Sequence, residues 1–154
     1  MGDVMVEPAL WLNYEEQKTW RRLLAVECRL RDRLDQDLRS AHGMTLNDYG
    51  VLVHLSEAVG GYLRMSELAD RLLLSRSGLT RRIDGLVRDG LVIRRACPAD
   101  GRGSFAELTK AGMDLLQEAA PTHVAGVRRY LIDALGGLGG LNEGLSRVET
   151  ALEP

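Results

Sequence analysis

A mainly helical fold carrying one small β-hairpin is what this sequence predicts, and three observations support it. Apolar residues recur every three or four positions along most of the chain. The clearest strand-like run, Leu91-Val92-Ile93-Arg94-Arg95, leads through a Gly- and Pro-bearing loop to a second candidate strand, Ser104 to Leu108. Seven arginines gather between Ser66 and Arg95, in a chain whose formal net charge is only -2.

The elements follow in order. Glu15 to Ala41 is a long helical pattern, with Trp20, Leu23, Glu27, Leu30, Leu34, Leu38 and Ala41 on one side, only Glu27 breaking the apolar series, and His42-Gly43 as its stop. Thr45 and Asp48 have the spacing of a capping box, which starts a second helix running to about Ala58. Gly60-Gly61 breaks the chain, and Tyr62 to Met65 is short and extended. Ser66 is the expected cap of a short helix to Leu73, and Ser75 the cap of the next, which Gly90 ends. The two strands enclose the loop Cys97-Pro98-Ala99-Asp100-Gly101-Arg102-Gly103. Thr109 then opens a long helical pattern in which Pro121 should introduce a kink or break. A glycine-rich corner at 136–140 precedes a last amphipathic helix bearing Leu141, Leu145, Val148 and Leu152.

Length and composition narrow the function classes. With 154 residues, 45% hydrophobic and 27% charged, the chain reads as a single folded domain, 1–154. No apolar run is long enough to span a membrane and no secretory signal opens the chain, so a cytoplasmic location is expected, away from membranes. No catalytic signature, metal-ligand spacing or phosphate loop is present, so no enzyme, cofactor or metal is expected. From Arg64 to Gly103, nine Lys/Arg stand against five Asp/Glu, a local net of 9 - 5 = +4. That basic middle suits a polyanionic partner, double-stranded DNA above all.

Helix, turn, helix, strand, loop, strand is the order of a winged helix-turn-helix, whose second helix enters the major groove. Helical arithmetic supports this. Leu79, Ile83, Leu86 and Val87 fall within about 100° of arc, an inward face. Ser77, Arg81, Asp84 and Arg88 lie opposite, with Thr80 and Arg82 at the flanks. Arg76 stands in the first turn, where a cation opposes the helix dipole unless an anion such as a phosphate joins it. The DNA-contacting set is therefore Ser75, Arg76, Ser77, Thr80, Arg81 and Arg82. A winged-helix protein-interaction module without DNA binding is the alternative, though such a face would offer apolar anchors rather than arginines.

The segment Leu68 to Arg95, followed by PADGRGSFAELTKAG, resembles the multiple-antibiotic-resistance regulator (MarR) family of winged helix-turn-helix repressors. The shared motifs are Asp100-x-Arg102 and Leu108-Thr109-x-x-Gly112. The resemblance implies that Thr80 and Arg81 reach the major groove, that Arg102 enters the minor groove and that Asp100 structures the wing. Gly85 departs from the basic residue often found at its place. It also implies a transcriptional repressor acting as a homodimer on a palindromic operator, with release by a small aromatic effector or an oxidant.

The terminal helices carry apolar stripes that the winged unit (45–112) cannot cover, so 10–41 and 113–154 are expected to form the dimer. Trp20, Tyr49 and His54 are the candidate effector pocket, with core packing as their simpler role. Cys28, near Arg29, Arg31 and Arg33, is the candidate redox residue, and Cys97 stands at the wing root. Serving as small apolar residues is their simpler role.

Overall fold

The computed structural model describes residues 10–96 and 103–153. Its first helix, α1 (Tyr14–His42), is opened by Asn13, whose side chain accepts from the Glu16 N–H at 2.9 Å while the Glu16 carboxylate accepts from the Asn13 N–H at 2.8 Å. Gly43, at φ 66, closes it as expected. Helix α2 (Leu46–Glu57) begins with the expected box between Thr45 and Asp48. Three residues, Tyr62–Arg64, form β1; α3 (Met65–Arg71), α4 (Arg76–Arg88), β2 (Val92–Ala96) and β3 (Ser104–Leu108) follow. Helix α5 (Lys110–Val127) runs through a π-helical turn at Arg128–Ile132 into the short α6 (Asp133–Leu135), and α7 (Gly139–Leu152) ends the described chain.

The core is centred on α2. Val51, Leu52 and Leu55 are fully buried against Leu38 of α1, Leu68 of α3, Leu79 and Ile83 of α4, and Ala119 of α5. This is the inward face that the helical arithmetic assigns to α4, although Val87 at its edge remains exposed. At roughly 25 cal/mol per Å² of apolar surface, each buried leucine contributes about 2 kcal/mol.

The structure refines one local expectation and corrects two. The extended piece at Tyr62 is a third strand: the sheet order is β1-β3-β2, antiparallel throughout, with β3 in the middle. The register sets Leu63, Ala106 and Val92 on the buried face, and Arg64, Phe105 and Arg95 on the outer one. Ser66 is no cap, because α3 begins one residue earlier and its N-cap position is Arg64. Pro121 does not break α5; it lies exposed inside a continuous helix. The π-helical turn that interrupts the regular α pattern comes later, at 128–132, and no proline marks it. Along this region α5 lies tightly on α1: a Cβ on the buried Gly126 would come within 2.7 Å of Leu34 Cδ2. A hydrogen bond between His42 and Thr122, at 2.8 Å, joins the same two helices, and one from Tyr130 to Asp37, at 3.0 Å, ties the π-helical turn to α1.

The wing is fixed to α5 by the Thr109-x-x-Gly112 motif. The Thr109 hydroxyl caps α5 by accepting from the Gly112 N–H at 3.0 Å, and reaches the Gly90 carbonyl at 2.8 Å. Its own N–H donates to the Leu91 carbonyl at 3.1 Å. That draws α5 so close to the end of the α4 loop that a Cβ on Gly112 would lie 2.2 Å from the Leu91 oxygen. Backbone cannot rotate away as a side chain can. Gly112→Ala is therefore expected to destabilise the fold by about 1–3 kcal/mol, read as a lower urea midpoint at an unchanged m-value.

Candidate nucleic-acid interface

Ser75 stops the chain in an extended conformation and accepts from the Gly78 N–H at 3.1 Å, which starts α4. The Ser77 hydroxyl lies 3.3 Å from that of Ser75. Leu79, Ile83 and Leu86 are buried, so Ser77, Thr80, Arg81, Asp84 and Arg88 are turned to solvent on the other side.

The partners of the clustered arginines separate them into two kinds. Arg71 pairs with Glu67 at 2.8 Å, Arg94 with Asp84 at 3.1 Å, and Arg95 with Glu107, while Arg88 donates to the Asp84 carbonyl. Arg82, expected among the DNA contacts, is bound within the fold. Its guanidinium reaches Asp48 at 2.8 Å and the Thr45 hydroxyl at 3.3 Å, and only 24% of its side chain is exposed. It fastens α4 to the capping box of α2. Arg76 and Arg81 have no ion pair or hydrogen bond among the described residues. Both lie in the first two turns of a helix whose positive end repels them. Five arginines thus serve the fold, and two present charge without a partner among the described residues.

Asp100, Arg102 and Cys97 lie outside the described residues. Tyr49 and His54 do line one groove of about 600 Å³, bounded by α1, α2, the α3–α4 turn and α5, with Leu30, Val53 and Leu74 among its apolar residues. Trp20 does not join them: it is half-exposed on the N-terminal part of α1, in a separate depression with Leu12 and Leu23. Periodicity placed Trp20 on the same face of α1 as Leu34, but two turns or more toward solvent.

His123, which no spacing in the sequence singles out, completes the groove. Its ring stacks 4.5 Å from that of Tyr49, and its Nδ1 is buried without a partner among the described residues. Burial raises the Tyr49 hydroxyl above its usual pKa and lowers His123 below 6.5. For a group depressed in this way, the stability is present above the unfolded pKa and is lost as pH falls through the lower folded value. The melting temperature is therefore expected to drop as pH falls below about 6.5, and His123→Phe, which keeps the stack, to flatten that decline. Parallel pH profiles of wild type and variant would expose an error in this assignment.

Cys28 is exposed, and its thiol lies 3.9 Å from a carboxylate oxygen of Asp32. The cationic setting expected for it is partly dispersed, since Arg31 is taken up by Glu27 and Asn47. Among the described residues, no group of three or more His, Cys, Asp or Glu has metal-binding geometry. Nor is any described helix long and apolar enough to cross a membrane.

Comparison with known proteins agrees with this geometry. A family profile described as MarR family matches residues 42–103, the span from the end of α1 to the wing. The structure of Sco3205, a MarR family transcriptional regulator from Streptomyces coelicolor in complex with DNA, is 39% identical and superimposes with a TM-score of 0.89 over 96% of this chain and 93% of that one. AbsC, a MarR family transcriptional regulator from the same organism, is 41% identical with a TM-score of 0.81, covering 95% of each chain. The HTH-type transcriptional regulator MhqR of Bacillus subtilis is 33% identical over 84 residues, 54% of this chain and 57% of that relative, so the match spans little more than half its length. With identity near 40% along almost the whole of two solved members, the chain belongs to the MarR family of winged helix-turn-helix transcriptional regulators.

Proposed function

We propose that this chain is a sequence-specific DNA-binding repressor that acts in the cytoplasm as a homodimer on a palindromic operator. The observation that carries the reading is the pair Arg76 and Arg81, unpartnered among the described residues, at the start of an exposed helix face capped by Ser75. A folded chain gains nothing from two such cations beside a positive helix end; a phosphate and a guanine edge supply what the fold omits. Ser77 and Thr80 add hydroxyl donors on the same face, and Arg102 extends the contact from the wing shaped by Asp100. The DNA in the Sco3205 structure supports the same assignment.

The dimer is formed by 10–41 and 113–154. Trp11, Trp20, Leu23, Leu24 and Val26 near the start of the chain, and Leu141, Leu145 and Val148 of α7, are exposed in the single chain. Two such stripes closing on a twofold axis bury them and set two α4 helices about one DNA turn apart. A dimer seated on a promoter blocks transcription by occupying it. Release comes from a small aromatic effector in the groove beside Tyr49, His54 and His123, which adjoins both α1 and the turn leading into α4.

Retaining random duplexes on the purified protein and sequencing them tests the reading. The expected result is an inverted repeat with half-sites about one helical turn apart. A pool without any enriched repeat would overturn it.

A further inference from the structure

The turn between α3 and α4 holds a residue that the fold alone does not explain. Leu72 caps α3, and two bonds close the helix: the Leu74 N–H donates to the Ala69 carbonyl at 3.0 Å, and the Leu73 N–H to the Asp70 carbonyl at 3.2 Å. This closure puts the residue after the cap in the left-handed region, where glycine is the usual occupant. Here the occupant is Leu73, at φ 53, the one non-glycine residue with positive φ among those described. A leucine is strained there, because its Cβ crowds the following carbonyl oxygen. Burial does not offset the strain, since 93% of Leu73 is exposed in the single chain. Backbone and solvent both favour glycine at this place. An apolar ligand lying against the side chain reverses that preference.

Leu73 stands at the edge of the groove that also holds Tyr49 and His123. At about 600 Å³ this groove has the size of a small-molecule site. Its two cations already have partners: Arg31 is engaged by Glu27 and Asn47, and Arg71 by Glu67. No described residue lining it carries a carboxylate. A charged ligand would give up its water for a wall whose charges are matched, whereas an uncharged apolar one has no such cost. We propose that the groove seats an uncharged aromatic compound whose apolar surface is covered by Leu73. The proposal rests on the effector-groove reading above and adds the charge of the ligand and the residue that closes over it. The turn bearing Leu73 runs straight into Ser75, the cap of α4, so a ligand held there bears on the helix that reads DNA.

The test is calorimetric titration, at neutral pH, of naphthol, which is uncharged there, and of naphthoate, an anion of similar size. The proteins are wild type, Leu73→Gly, Leu73→Met, and Val53→Trp and His54→Trp, which fill the groove from α2. Naphthol is expected to bind wild type about tenfold more tightly than naphthoate, or better. Leu73→Gly should melt a few degrees higher, its strain removed. It should also bind naphthol about tenfold more weakly, the effect of leaving roughly half a leucine side chain in water. Leu73→Met, equally strained and equally apolar, should keep the wild-type affinity. Naphthol binding that the tryptophan variants abolish but Leu73→Gly leaves unchanged overturns the role of Leu73 and leaves the effector groove standing. So does a Leu73→Gly protein that melts below wild type, because the leucine then serves the fold. Naphthoate bound as tightly as naphthol overturns the uncharged class. Naphthol bound equally by wild type and the tryptophan variants, or by none of them, overturns the groove reading and the proposal together.

Discussion

Arg81→Ala is expected to abolish preference at one base position of each half-site while leaving the fold intact. Arg81 has no internal partner among the described residues, and the carboxylate nearest to it in sequence on the outward stripe, Asp84, is already engaged by Arg94 at 3.1 Å. Removing it therefore breaks no bond among the described residues. In the complex the loss is a bidentate contact to a base edge, about 1–3 kcal/mol per half-site, and the twofold counts it twice. The combined effect on a dimer starts at about thirtyfold in affinity. Arg82→Ala provides the contrast. It strips Asp48 of its guanidinium and loosens the junction of α4 with α2, so it should appear first as a lower melting temperature. Operator affinities and melting curves on the two variants separate reader from fastener. Unchanged base preference in a folded Arg81→Ala protein would remove that residue from the interface.

The contrast between Arg81 and Arg82 also shows what the sequence can and cannot reveal. Helical order, the caps at Thr45 and Ser75 and the inward face of α4 are local properties, written in the spacing of neighbouring residues, and the structure reproduces them. The pairing of Arg82 with Asp48 joins residues far apart in the chain. A flank position on a helical wheel could as well have faced DNA. The same limit hid β1: three residues carry too little pattern to announce a strand, and only pairing with β3 makes one. His123 went unrecognised because its significance comes from Tyr49 on another helix. Pro121 failed in the opposite direction. Local rules predict a break, but packing of α5 along α1 outweighs the one hydrogen bond that a proline removes.

Placing a charge on the apolar stripes should convert the protein from a dimer to a monomer. Leu23 and Leu145 are about half exposed in the single chain, 54% and 49%, and belong to no buried cluster of the winged unit. An aspartate at either place is hydrated in an isolated protomer and costs that protomer little. In the proposed dimer the same carboxylate is taken out of water, and the twofold axis buries it in both copies. A buried unpaired charge costs several kcal/mol, so each substitution opposes association by roughly twice that. Wild type is expected to sediment at about twice 17.0 kDa, and Leu23→Asp or Leu145→Asp toward the single mass with its helical circular dichroism largely kept. Operator affinity should fall steeply with the dimer, because two linked half-sites bind far more tightly than either alone. Binding to a single half-site by the monomeric variant should survive, since α4 and its arginines are untouched. A wild-type protein that sediments as a stable monomer, or variants that remain dimeric and bind the full operator normally, would show that these stripes meet something other than a second copy of the chain.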